Sequence, residues 1–116
     1  MGAKYEGPSR RRSNRCSVNF PVAVIVPGSE LVLYGDALDL SGGGLRVSTK
    51  IDLPAGQNIL LRFTVPGSDR ETLVRGRIVL SFFDATTKCF AHGIAFTQIA
   101  PEDRDVIAKA LDGAAK

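Results

Sequence analysis

Short apolar segments separated by turn residues run through most of the chain. Six of these segments are predicted as strands, at residues 18–26, 30–39, 45–49, 58–65, 71–83 and 89–99. Turn sequences such as Pro27-Gly28-Ser29 divide them. Six strands spaced by roughly 8–12 residues are typical of a small antiparallel barrel or sandwich. We expect a barrel, because closure removes exposed sheet edges.

The end of the chain has a different pattern, in which apolar residues are spaced by three or four positions. These residues are Val106, Ile107, Ala110 and Leu111. Pro101 suits the first position of a helix, and Gly113 can cap its end. We therefore predict one amphipathic helix at about 101–112, whose apolar stripe docks on the barrel or on a partner.

Length and hydropathy limit the number of domains and argue against membrane insertion. A chain of 116 residues, 44% of them hydrophobic, matches one compact soluble domain. It contains no run of about 18 apolar residues, and its N-terminus lacks the apolar stretch of a signal peptide. We predict a cytoplasmic protein, by default a monomer, with a flexible basic arm at 1–16 and the barrel with its helix at 17–116.

The formal charge of +3 is concentrated at the N-terminus. Residues 1–15 hold five basic side chains and one acidic one, whereas the rest of the chain holds ten basic and eleven acidic ones. Four of the basic residues fall within six positions: Arg10, Arg11, Arg12 and Arg15. Such a cluster is typical of solvated tails, of nonspecific contacts with nucleic acids or membranes, and of anion sites.

Patterns for catalysis and metal binding are scarce. His92 is the only imidazole and stands within a predicted strand, so we interpret it as a core or edge residue. Cys16 and Cys89 form no C-x-x-C motif and, with one histidine, cannot assemble a zinc site; Cys89 is expected in the core. The chain holds no G-x-S-x-G turn, no phosphate-binding P-loop and no dinucleotide fingerprint. We predict neither an enzyme nor a metal or cofactor site.

Two short motifs occur together in the chain. Arg11 and Arg15 form R-x-x-x-R in the arm. Asp39, Ser41 and Gly44 form D-x-S-x-x-G at the end of a predicted strand. In this order the pair resembles the PilZ domain, the bacterial receptor module for cyclic di-GMP. The resemblance covers nearly the whole chain and implies a six-stranded antiparallel barrel, a disordered N-terminal arm that closes over the ligand, and signalling without catalysis.

The resemblance assigns the arginines of the arm to the ligand. Arg11 and Arg15 would hold guanine and phosphate, with Arg10 and Arg12 as auxiliary contacts. Arginine suits both parts of cyclic di-GMP, because its planar fork bonds phosphate and the guanine O6/N7 edge in bidentate fashion. Lysine would supply charge alone, and the cluster contains only arginine.

The resemblance also assigns residues of the barrel. Asp39 would accept hydrogen bonds from guanine N1–H and N2–H₂, and Ser41 would offer its hydroxyl to the ligand or to the turn. Gly44 would permit close backbone approach or a positive φ. Some family members stack a tryptophan on the guanine; this chain has none, and Phe82 is nearest that place, either as the stacking residue or as an ordinary core or surface residue.

These residues predict a cyclic di-GMP receptor or adaptor whose arm closes over the ligand and alters a surface that an unidentified partner protein reads. One ligand molecule and an intercalated pair both remain compatible with the sequence. An alternative is a PilZ-like adaptor that works without ligand, although such adaptors usually lack these motif residues. Less favoured is a small-barrel nucleic-acid binder, since the barrel segments are net acidic and exposed aromatics are sparse.

Overall fold

The computed structural model describes residues 15–115, which form six strands and one helix. The strands are β1 (Cys16–Ile25), β2 (Val32–Ser41), β3 (Gly44–Thr49), β4 (Asn58–Thr64), β5 (Glu71–Asp84) and β6 (Cys89–Ile99), and the helix is α1 (Pro101–Ala115). They close into an antiparallel barrel in the order β1-β2-β3-β6-β5-β4. The predicted fold is confirmed. Residues 1–14 lie outside the described residues, and so do the predicted ligand contacts Arg10, Arg11 and Arg12.

Alternating burial along the strands builds the core of the barrel. On β5, Val74 and Ile78 are buried, whereas Arg75 and Arg77 between them are exposed. This period of two places one row of apolar side chains inside the barrel and one row of polar side chains outside. Rings also pack across the core, since the Phe20 and Phe63 centroids are 5.5 Å apart in a stacked arrangement.

Helix α1 docks on the barrel rather than standing free. Ile107 is almost completely buried in the core, and Val106 packs beside it. An ion pair fixes the first turn, because Arg70 Nε lies 3.1 Å from the carboxylate of Asp103, a residue that is itself buried. The prediction that Gly113 caps the helix is wrong: α1 continues to Ala115, since glycine is tolerated within the final turn.

Two residues set aside as core candidates differ in burial. His92 is 1% exposed, and its Nε2 lies 2.9 Å from Thr49 Oγ1. Cys89, expected in the core, is only half-buried, because it opens β6 beside the β5–β6 turn. Cys16 is also half-buried at the start of β1, one residue earlier than the predicted start of the barrel domain.

Four shifts in strand register interrupt the regular pairing of the described strands, and two of them lie close together on the barrel. Between β2 and β3 the pairing shifts at Leu38, and between β5 and β6 it shifts at Val79. An extra residue in one strand re-aims the side chains that follow it, and such irregularities are frequent beside functional sites. The shifts at Leu38 and Val79 border the same part of the outer barrel surface.

Candidate functional site

A groove of about 320 Å³ lies on the outer face of the barrel, across β2, β3, β6 and β5. Its floor consists of small residues: Gly44 on β3 is paired with Ala95 on β6, and Gly93 is paired with Arg46. An added Cβ at Gly93 would reach Leu80 Cβ at 3.5 Å, an ordinary contact distance. The groove therefore exists because these outward positions carry little or no side chain.

The charged side of the groove is built around Asp39. The register shift after Ala37 precedes this residue, whose side chain is only 10% exposed. Arg46, its cross-strand partner, places Nη2 2.9 Å from Asp39 Oδ2, and Arg15 places Nε 3.6 Å from Oδ1. One arginine thus comes from the barrel and the other from the residue that precedes β1, and they face different oxygens of one carboxylate.

Ser41 and Gly44 shape the turn between β2 and β3. The Ser41 hydroxyl donates to the Gly44 carbonyl and accepts from the Gly43 N–H, both at 3.3 Å. Gly44 has no positive φ, but a side chain there would collide with the carbonyl oxygen of Ile94. Of the two predicted reasons for this glycine, close backbone approach is the one observed, and the backbone approached is that of β6.

The opposite side of the groove is apolar. Val79 and Leu80 line it, and these residues are 58% and 54% exposed. Both lie at the register shift of β5, where outward and inward positions cease to alternate. Phe82 stands two residues further along β5 and is exposed, but it does not line the groove.

The structure brings together four of the predicted site residues, namely Arg15, Asp39, Ser41 and Gly44. Sequence reasoning missed Arg46, Gly93 and the apolar side at Val79 and Leu80. One signal for the apolar side was available, since Ile78, Val79 and Leu80 form an unbroken apolar run inside an alternating strand.

A larger cavity, of about 600 Å³, lies between α1 and the barrel. It is mainly apolar, with Lys109 as the charged residue among those that line it. Two consecutive residues line different spaces: Arg15 lines the groove, and Cys16 lines this cavity. We place the candidate site in the groove, because the residues of both sequence motifs meet there.

Within residues 15–115, no three side chains of His, Cys, Asp or Glu lie close enough to share a metal ion. The helix in this part of the chain is not long and apolar enough to cross a membrane.

Comparison with known proteins gives a family and several similar folds. The family model described as the PilZ domain matches residues 9–113. No curated protein matches the sequence. The structure of the inhibitor of motility MotI (DgrA) from Bacillus subtilis is similar, with a TM-score of 0.77 and 14% identity. That match covers 87% of this chain and 49% of MotI, so the chain spans about half the length of that protein.

Two shorter structures match over most of their own length. The PilZ domain of CeSA from a cellulose-synthesising bacterium has a TM-score of 0.65 and 18% identity, with coverage of 88% of this chain and 98% of that one. The PilZ domain of YcgR from Escherichia coli, solved with c-di-GMP, has a TM-score of 0.63 and 13% identity, with coverage of 87% and 90%. At these identities the likeness establishes the fold.

Proposed function

Because the chain belongs to the PilZ family, we propose that it is a cyclic di-GMP receptor that acts by binding, without catalysis. The observation that carries this proposal is that Arg15 of the N-terminal motif faces Asp39 of the strand motif across one groove. These residues are 24 positions apart in the chain. The PilZ domain of YcgR, which has the same fold, was solved with this ligand.

The charged side of the groove suits a ligand that has both anionic and hydrogen-bond-donating groups. The Arg15 side chain is 57% exposed, and its guanidinium group fits phosphate oxygens in bidentate geometry. Asp39 presents an acceptor that fits the N1–H and N2–H₂ donors of guanine. A nucleotide with two guanines and two phosphates matches both requirements.

The apolar side and the flat floor suit a planar base. Gly93 and Ala95 leave a shallow surface on which a purine ring can lie, and Val79 and Leu80 supply apolar contacts at its edge. We propose that Leu80 lies nearest the base, and that Phe82 contacts the ligand at most at the far edge of the groove. The described groove is near the lower end of the ~300–1,000 Å³ typical of small-molecule sites, which is consistent with completion of the site by the N-terminal arm.

Residues 1–14 are proposed to supply that completion. Their arginines, Arg10, Arg11 and Arg12, repel one another and Arg15, which opposes closure over the empty groove. A doubly anionic ligand neutralises the repulsion and offers each guanidinium a partner. Closure then presents a new surface to a partner protein, so that ligand concentration controls the interaction through a change of population.

Isothermal titration calorimetry tests the proposal directly. Wild-type protein titrated with cyclic di-GMP should show saturable binding, and GTP at the same concentration should not. Arg15→Ala should weaken binding by at least about tenfold, because it removes a charge-assisted contact worth roughly 1.5–3 kcal/mol. The molar ratio distinguishes one ligand from an intercalated pair.

A matched variant separates loss of the site from loss of charge. Arg62 on β4 is a strand arginine that pairs with Glu71, and its side chain is 41% exposed, away from the groove. Arg62→Ala should bind like wild type, as should Phe82→Ala within about twofold. If folded wild-type protein gives no binding heat, the receptor proposal fails and a ligand-independent adaptor becomes the better account.

A further inference from the structure

We propose that Arg46 is a positioning residue that supplies Asp39 with a permanent counter-ion and so releases Arg15 for the ligand. The proposal rests on the receptor function above and adds a residue that lies outside both sequence motifs. It concerns a competition within the ligand-free protein. A nearly buried carboxylate faces two guanidinium groups, and only one of them is needed to neutralise it.

The distances divide the two arginines into a tight and a loose partner. Arg46 Nη2 lies 2.9 Å from Asp39 Oδ2, within the range of a charge-assisted hydrogen bond. Arg15 Nε lies 3.6 Å from Oδ1, which is beyond hydrogen-bond distance. Arg46 is also held by the sheet, since it is directly paired with Asp39 across β2 and β3, whereas Arg15 precedes the first strand.

Burial makes the identity of the counter-ion matter. The Asp39 side chain is 10% exposed, and a carboxylate withdrawn from water requires a charged or hydrogen-bonded partner. With Arg46 in place, Arg15 can leave Oδ1 without isolating the charge. Without Arg46, Arg15 becomes the counter-ion that Asp39 retains, and an anionic ligand must compete with Asp39 for it.

The proposal therefore predicts coupling between the two arginines before any ligand is added. In urea denaturation of ligand-free protein, Arg15→Ala alone should shift the transition midpoint little. The same substitution in an Arg46→Ala background should lower the midpoint clearly, because Asp39 then has neither partner. If the two substitutions are additive, Arg46 does not relieve Arg15, and the proposal is overturned whether or not the protein binds cyclic di-GMP.

Ligand titrations provide the second test. Arg46→Ala should weaken cyclic di-GMP binding by about tenfold. Arg46→Lys, which keeps the charge beside Asp39, should remain within about threefold of wild type, whereas Arg46→Gln should behave like alanine. The matched control is Arg62→Ala, which removes an arginine of similar exposure from a pair with the exposed Glu71 and should leave the Kd unchanged.

A double-substitution cycle distinguishes positioning from direct contact with the ligand. Asp39→Asn removes the charge that Arg46 neutralises, so Arg46→Ala should cost little further affinity in that background. An undiminished loss there would mean that Arg46 acts on the ligand itself and would overturn the positioning role. Wild-type binding that Arg46→Ala leaves unchanged would overturn the proposal while the receptor function stands. Absence of wild-type binding would refute the receptor function, and the ligand-free cycle would still decide the coupling.

Discussion

The two faces of the β3–β6 strand pair carry the same backbone but opposite kinds of side chain. Toward the barrel interior, Val47 and Ile94 are buried in the core, and His92 on β6 is buried and hydrogen-bonded to Thr49 on β3. Toward the outside, the neighbouring positions are occupied by Gly93 and Ala95, with Arg46 as the one long side chain beside them. One face is filled and the other is left open.

The difference separates stability from recognition along a single pair of strands. Close packing of the inner face stabilises the fold by burying apolar surface, so the loss of even one methylene group lowers the free energy of unfolding. The outer face buries less apolar surface and instead forms the groove, which has a carboxylate at one side and apolar side chains at the other. Substitutions on the two faces should consequently change different measured quantities, and three substitutions test this separation.

Of the three substitutions, Gly44→Ala should have the largest effect on stability, and it is the exception to this separation of roles. Gly44 belongs to the outer face, yet an added Cβ would collide with the Ile94 carbonyl oxygen, a backbone atom that cannot move without separating β3 from β6. We expect the free energy of unfolding in urea to fall by about 3 kcal/mol, at the upper end of overpacking costs. An unchanged unfolding transition would contradict the close approach of the two strands.

Gly93→Ala, on the same face, should instead weaken ligand binding without lowering stability, as the separation of roles predicts. Its Cβ meets only ordinary contacts, at 3.5 Å from Leu80 Cβ, and alanine favours the folded chain by up to about 1 kcal/mol over glycine. We expect stability that is equal or slightly higher, together with cyclic di-GMP binding weakened by about tenfold, because the methyl group occupies the floor of the groove. Calorimetry on the folded variant decides: wild-type affinity would place the ligand elsewhere.

On the inner face, His92 should make the stability of the protein depend on pH. The pKa of His92 is lowered from 6.5, chiefly by burial, although the Ile51 carbonyl and the Asp52 charge act in the opposite direction. Thr49 Oγ1 donates to the Ile51 carbonyl, so it accepts from His92 Nε2–H, and Nδ1 has no partner among the described residues. Protonation would therefore create a buried Nδ1–H donor that has no acceptor among the described residues.

Proton linkage determines whether stability rises or falls with pH. The unfolded chain binds a proton at His92 more readily than the folded chain does, so the stabilising contribution of neutral His92 is complete above pH 6.5. It is lost as the pH falls below that value toward the lower pKa of the folded state. Urea unfolding at about pH 7.5, 6.5 and 5.5 should show this decline, and His92→Gln should remove the part that comes from this single histidine. A wild-type and a variant profile with the same slope would refute the assignment.

Most of the fold could be predicted from local pattern. Turn residues and period-two alternation placed all six strands, and the change of period after Pro101 placed the helix. The pairing of β3 with β6 is different in kind, because it joins strands separated by two others in the chain, and local pattern does not predict it. The end of α1 was missed, since a glycine near a helix terminus is compatible with both a cap and a final turn.

The candidate site was only partly predictable, for a physical reason. Asp39, Ser41 and Gly44 are close in sequence and formed a visible motif. Arg46 and Gly93 gain their roles from cross-strand pairing, which a single sequence does not encode locally. The register shift at Val79 brings Leu80 to the groove and leaves Phe82 beyond its lining, so that counting along an ideal strand does not identify the apolar residues that line the groove.

The alternation at the start of β1 gives the molecule a built-in reporter. Arg15 lines the groove, while the next residue, Cys16, pairs with Leu40 and lines the separate cavity under α1. A fluorinated tag on the Cys16 thiol would sense movement of Arg15 through one peptide unit without occupying the groove. Cys89, at the far end of β6 from the helix, offers an internal reference whose signal should stay constant, so one spectrum of the doubly tagged protein separates a local change at the groove from a disturbance of the whole barrel.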